Sequence, residues 1–302
     1  MRTSRSKKFW FENSWLRESD CIKVVKESWV SSVRVPIQNK IVSCGSALLQ
    51  WGSHLMRDFQ ARVLECKKKM ASLRGKRDSA SVDSFIEARK CYNELLHSHE
   101  IFWKQREKSI WLKEGAMNSR YFHAMASAWK KQNMIGKLRN IQGQWCTTPE
   151  DINEAIGRYF TQIFSSKGGS CVEVLQCVEP RITTEQNHTL MESFSPADVR
   201  DAIFSMHPHK SPGLDGMNPV FFQKFWSIVG DDVSAVCLNF IQQCVFLADL
   251  NETYVILIPK KPNLDYITDF RPIALCNVLY KIVAKMLASR LKLVLGYIIS
   301  DS

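Results

Sequence analysis

The sequence predicts a mainly α fold with small β hairpins, an α+β class. Three observations carry that prediction. Apolar residues between 45 and 75, and again between 85 and 110, recur at steps of three and four, the period of a helix burying one stripe. Residues 134–145 alternate apolar and polar around Gln142-Gly143, the pattern of a short hairpin. Two short apolar runs, Tyr254 to Ile258 and Phe270 to Leu275, flank a polar turn.

In chain order, residues 9–30 are dense in aromatics: Phe9, Trp10, Phe11, Trp15 and Trp29. Such side chains need a core, and the residues before them supply none. The first helical seam runs Leu48, Leu55, Phe59, Val63, Cys66, Met70, Leu73. Turn formers follow from Gly75, and a second seam takes in Phe85, Ala88, Tyr92, Leu95, His99 and Phe102. Together they read as an antiparallel helical hairpin. Thr148-Pro149-Glu150 opens a helix through Ile163, with Thr148 as cap and Pro149 in the first turn. Residues 165–185 read as a connector, and Ser195-Pro-Ala-Asp198 caps a helix to about Met206. Helices are expected at 219–229 and 231–247, separated by Gly230, with Asp231-Asp232 capping the second. A buried strand at 254–258 and a second at 270–275 precede a long amphipathic helix capped by Asn277.

Composition narrows the function. The chain has 302 residues and a net charge of +11, with residues 1–150 at +14 and residues 151–302 at −3. A basic half calls for a polyanionic partner, nucleic acid first and an anionic membrane surface second, although basic helices are also plain solvated faces. No apolar run approaches the roughly 20 residues of a membrane span, so no spanning segment is expected; of the two candidate partners, nucleic acid is taken and no membrane partner is expected. Met1 to Lys8 is basic without an apolar segment behind it, which points to an intracellular protein of nucleus or cytoplasm rather than a secreted one. The ten cysteines show no ligand spacing, so they read as reduced thiols and no metal is expected.

Basic residues gather at Lys67-Lys68-Lys69 and, interleaved with Trp111, Tyr121, Phe122 and Trp129, at Arg120, Lys130 and Lys131. Cations among aromatics can neutralise phosphates and stack bases, or form a helix with one buried and one solvated face. Lys260 leaves one strand and Arg271 enters the next, so a hairpin would bring them together as a polyphosphate clamp, or leave two ordinary surface charges. Lys210, Ser211, Gly213 and Gly216 lie in a loop, 207–219, whose glycines could let backbone approach a phosphodiester chain, or simply turn. Asp215 stands there without an acidic partner.

Four stretches add a resemblance. Lys210-Ser-Pro-Gly-Leu-Asp-Gly-Met-Asn-Pro219, Ile258-Pro-Lys-Lys261, Asp269-Phe-Arg-Pro-Ile-Ala-Leu-Cys-Asn277 and Tyr280-Lys-Ile-Val-Ala-Lys-Met-Leu-Ala-Ser-Arg-Leu291 occur in that order. They resemble the reverse transcriptases of LINE-type, non-LTR retrotransposons, most closely those of plants. Trp111 to His123 and Phe11 to Trp15 are also similar to that family's inter-domain segment and endonuclease end.

The resemblance implies four segments. Residues 1–30 would be an endonuclease remnant and 31–133 a basic helical linker. Residues 134–194 would hold a hairpin, helix and connector, and 195–302 the fingers of a right-hand polymerase whose palm is missing. It implies nucleotide contacts at Lys260 and Arg271 and template contacts at Lys210, Ser211, Gly213 and Gly216. RNA template, DNA primer and dNTP would be the partners. The Mg2+ of the full-length enzyme would need palm aspartates, which have no counterpart in this chain, so no catalytic residue, metal or cofactor is expected here. A fragment of an RNA-directed DNA polymerase, inactive alone, is the expectation. The alternatives are a non-enzymatic nucleic-acid-binding module and a non-functional retroelement relic.

Overall fold

A computed structural model describes residues 9–31, 35–106, 134–166, 168–169, 172, 176–177, 179–245, 248–261 and 264–299. The elements are α1 (Cys21–Val30), α2 (Ile37–Arg57), α3 (Phe59–Leu73), α4 (Ser79–Arg106), β1 (Leu138–Arg139), β2 (Trp145–Cys146) and α5 (Pro149–Phe164). They continue with α6 (Thr184–Met191), α7 (Pro196–Phe204), α8 (Pro219–Lys224), α9 (Trp226–Gln243), α10 (Ala248–Asn251), β3 (Tyr254–Pro259), β4 (Phe270–Leu275) and α11 (Val278–Ile298). The mainly α expectation with small antiparallel hairpins holds. Among the described residues no helix is long and apolar enough to cross a membrane.

The larger core joins both ends of the chain. α1 buries Cys21, Val25 and Trp29 at steps of four, and α2 buries Ile37, Ile41, Cys44 and Leu48. They meet Val199 and Ile203 of α7, Phe221 and Phe222 of α8, Val229 and Val233 of α9, and Leu279 and Ile282 of α11. The N-terminal aromatics find their core some 200 positions away. The Phe11 ring packs edge-on against Trp15 at 5.7 Å and Phe221 at 5.3 Å, and Trp29 lies 6.4 Å from Phe221. The core that the preceding residues do not supply is instead long-range in the chain.

The first helical seam is longer than expected and is broken. It starts at Ile37 and divides at Asp58, whose N–H closes α2 on the His54 carbonyl while its own carbonyl accepts from Arg62 N–H in α3. One stripe thus serves two surfaces. α2 faces the core, whereas α3 forms the expected antiparallel hairpin with α4, turned at Gly75 in the left-handed region. Phe59 stacks on His99 at 4.4 Å across that hairpin.

A second, smaller core gathers Leu138, Cys146, Ile152, Ile267 and Phe270. It seats the β1–β2 hairpin and α5 against the base of the β3–β4 hairpin. The expected turn is present, with Gly143 at φ +79°, and Thr148 Oγ1 accepts the Asp151 N–H as the α5 cap. α6 falls where only a connector and its exit were expected. Its Thr183/Gln186 capping box was the signal.

Five expectations in the last hundred residues need correction. The helix break lies at Phe225, not Gly230. Gly230 is inside α9 because a Cβ there would come 2.7 Å from the Trp226 indole, so glycine is needed for ring contact, not termination. α9 stops at Gln243, where Cys244 turns left-handed at φ 54°. Asp232 is not a cap: its Oδ2 accepts from Trp29 Nε1 at 2.7 Å and Lys40 Nζ at 2.8 Å, tying α9 to α1 and α2. The strand at 254–258 is not buried, since Val255, Ile256 and Ile258 are all over 40% exposed on a two-stranded ribbon. Asn277 precedes α11 in extended conformation but makes no side-chain cap to it, and its Oδ1 instead accepts the Asp215 N–H at 3.4 Å.

Candidate nucleotide and nucleic-acid interface

The β3–β4 ribbon sets the geometry of the two motif cations. Ile258 pairs with Arg271 and Pro259 with Phe270, and the Lys260 N–H continues the ladder to the Asp269 carbonyl at 2.8 Å. Side chains alternate along a strand, so Ile258, Lys260 and Arg271 share one face. Lys260 and Arg271 are diagonal neighbours, a relation that spaces Cβ atoms by roughly 7–8 Å. The hairpin therefore brings both exposed cations onto one surface. Lys260 Nζ donates to the Thr268 carbonyl at 2.7 Å, which folds it over the turn. Lys261 Nζ bonds Asp269 at 2.8 Å and holds that carboxylate below its usual range.

The loop 207–219 is packed from below. Only Lys210 of the four loop candidates is exposed. The Ser211 carbonyl accepts from Lys281 Nζ at 2.7 Å. A Cβ at Gly213 would lie 2.2 Å from Asn277 Oδ1 and 2.5 Å from its backbone nitrogen; one at Gly216 would lie 2.1 Å from the Phe9 carbonyl oxygen. Both glycines thus admit close backbone approach, and the backbone they admit is this chain's own.

Asp215 is the loop's internal charge. Its Oδ1 accepts the Met217 N–H at 3.0 Å, and its Oδ2 is buried with no hydrogen-bond partner. Burial pushes the carboxyl up to about 6, against a partial counterweight from the Met217 hydrogen bond and the Lys281 charge. Its unfolded value is the ordinary 3.8. Between those values the folded chain binds the extra proton, so this group's contribution is greatest below pH 4 and is lost as pH rises through 6. The loss is about 3 kcal/mol. Asp215→Asn keeps an oxygen for Met217 and is expected to gain about 2 kcal/mol relative to wild type between pH 4.5 and 7.5 in urea titrations, since about a third of the loss already lies below pH 4.5. A difference that does not grow with pH contradicts this.

Lys67, Lys68 and Lys69 are exposed on α3, with Lys67 Nζ 5.7 Å from the Tyr92 ring centroid on α4. Arg120, Lys130 and Lys131 lie outside the described residues, as do the four aromatics among them. Among the described residues no three His, Cys, Asp or Glu side chains gather to hold a metal ion.

One cluster was not picked out from sequence. Arg139 pairs with Trp145 in the β1–β2 register; its guanidinium lies 4.5 Å from the Trp145 ring and 5.8 Å from Tyr266. Lys137 lies 4.4 Å from the same indole, which is 42% exposed. The legible signal was Lys137-Leu138-Arg139, where a period of two puts both cations on one face with Leu138 on the other. The Arg139 N–H donates to the Asp265 carbonyl at 2.6 Å, so this cluster abuts the turn that leads to Arg271. Beside it, a cleft of about 230 Å³ lies between the hairpin and α5, lined by Arg139, Trp145, Glu154, Arg158 and Tyr159.

The chain is similar to a transposon-encoded protein. It is 26% identical over 244 residues to the uncharacterized 149 kDa protein of transposon TX1 from Xenopus laevis. That match takes in 80% of this chain and 18% of the Xenopus protein's length. No protein-family model matches the sequence.

Proposed function

We propose that this chain is the linker and fingers portion of a LINE-type reverse transcriptase of plant type, which grips template and dNTP phosphates without the acids that hold Mg2+. The observation that carries the reading is the β3–β4 register. It sets Lys260 of Ile-Pro-Lys and Arg271 of Phe-Arg-Pro-Ile side by side on one exposed face. An arginine fork beside a lysine point charge suits a triphosphate. Similarity to a transposon-encoded protein supports the retroelement setting. Lys210 at the loop's surface would contact template, with Ser211, Gly213 and Gly216 shaping the loop beneath it. The chain's Asp-Asp pair, Asp231-Asp232, lies within α9 with Asp232 engaged by Trp29 and Lys40, which does not suit two-metal nucleotidyl transfer.

A combined binding and primer-extension experiment tests the proposal. The purified chain is expected to bind an RNA template annealed to a DNA primer, and to leave the primer unextended with Mg2+ and dNTPs. Template-dependent extension would refute the inactive half, and absence of binding at low salt would refute the gripping half.

A second reading, a non-enzymatic nucleic-acid-binding module, is favoured by the half-exposed Trp145 between Lys137 and Arg139. Single-strand affinity should then fall linearly in log–log against salt, and Trp145→Ala should cost about 1–3 kcal/mol of binding, the worth of one stacked base. Unchanged affinity in that variant removes this reading.

A further inference from the structure

The α3–α4 hairpin holds two thiols in contact. Cys66 Sγ on α3 donates to Cys91 Sγ on α4 at 3.5 Å, and both cysteines are free. Across 25 positions of sequence, the antiparallel packing has brought two sulfurs to the separation at which a nucleophile meets its target. A disulfide needs sulfurs about 2.0 Å apart, so the 3.5 Å pair has to close by about 1.5 Å. Cys91 is partly exposed and Cys66 is buried, so the pair has one sulfur open to solvent and one behind it. The neighbouring positions are also linked, since Lys67 reaches over the Tyr92 ring.

We propose that Cys66 and Cys91 form a reversible disulfide that staples α3 to α4 when the chain meets a small-molecule disulfide such as oxidised glutathione. The Cys91 thiolate displaces one half of the oxidant, releasing one small thiol and leaving a mixed disulfide. Cys66 then gives its proton to solvent and its sulfur displaces the remaining half from Cys91 Sγ as a second small thiol. Two protein thiols are oxidised and one small disulfide is reduced to two thiols. Burial raises the Cys66 thiol, as does its hydrogen bond to Cys91, which fits Cys66 to the resolving role. The staple fixes the helix that carries Lys67, Lys68 and Lys69.

The other cysteines supply internal controls. Cys21 and Cys44 are 2% and 0% exposed, with thiols pushed by burial to about 12 and about 11, so they should stay reduced. Cys244 is exposed and its Sγ faces the Ile241 carbonyl, so it should stop at the mixed disulfide.

Peptide mapping of the full chain under non-reducing conditions, after exposure to oxidised glutathione, tests the proposal without any variant. The expected product is a linked peptide pair containing Cys66 and Cys91, reversed by a reducing agent. Hydrogen exchange in residues 59–106 should then slow by roughly tenfold or more relative to the reduced chain, as a covalent cross-link restricts local opening. In Cys66→Ala, Cys91 should accumulate the glutathione adduct. A persistent adduct on Cys91 in the wild-type chain would overturn the proposal. So would linkage of Cys66 or Cys91 to other cysteines as often as to each other.

Discussion

Gly216→Ala is expected to lower stability by about 4 kcal/mol, enough to leave a marginal domain unfolded. Gly216 sits at φ +71°, a conformation that costs an L-residue about 1 kcal/mol. The larger cost is collision, because the new Cβ would fall 2.1 Å from the Phe9 carbonyl oxygen, a backbone atom with no rotamer to escape through. Nor can the two strands of backbone part freely. The Gly216 carbonyl accepts the Phe11 N–H at 3.0 Å, and moving it would pull the Phe11 ring from Phe221. Gly75→Ala is the matched control: its φ is +88°, yet nothing lies within 4 Å of the added Cβ, so it should lose only about 1 kcal/mol. Urea unfolding followed by tryptophan fluorescence measures both. Equal losses would contradict the close approach of loop 207–219 to residues 9–11.

Phe11→Ala is expected to cost about 3–5 kcal/mol, the usual range for deleting a buried phenylalanine. Phe11 is 1% exposed and touches three aromatic rings drawn from two distant parts of the chain, Trp15, Phe221 and Phe225. Its backbone is held as well, since its carbonyl accepts from Gln105 Nε2 at 2.6 Å, so the ring's neighbours cannot easily close over the gap. Trp10, its neighbour in sequence, is 48% exposed, and Trp10→Ala should cost under about 1 kcal/mol. Similar losses in the two variants would show that residues 9–17 do not share the core of α7 to α11.

Local chemistry was legible and long-range packing was not. Ser195, Thr148 and Gln142-Gly143 act within a few positions of themselves, and their caps and turn stand as read. The α3–α4 hairpin follows from a stripe period that survives any context. Gly230 and Asn277 were misread because their reasons lie elsewhere: the Trp226 ring for one, the Asp215 amide for the other. Asp232 is the same case, a helix-interior acid held by groups 192 and 203 positions away. At the candidate site, strand alternation gave the Lys260–Arg271 face from sequence, because a two-stranded register needs only the turn length. The burial of Gly213 and Gly216 against other backbone, and the Trp145 cluster against the turn at Tyr266, depend on which elements meet. No local pattern encodes that.

The central claim is that Lys260 and Arg271 act as one clamp for a triphosphate. Fluorescence anisotropy of a labelled dNTP with Mg2+ tests it directly, titrated with the wild-type chain, Lys260→Ala, Arg271→Ala and the double variant. Both side chains are exposed, so the variants should stay folded. The account predicts saturable binding, a roughly tenfold loss in each single variant, and a double-variant loss that departs from the product of the two. Binding that is absent in the wild-type chain, or unchanged in Arg271→Ala, would contradict it.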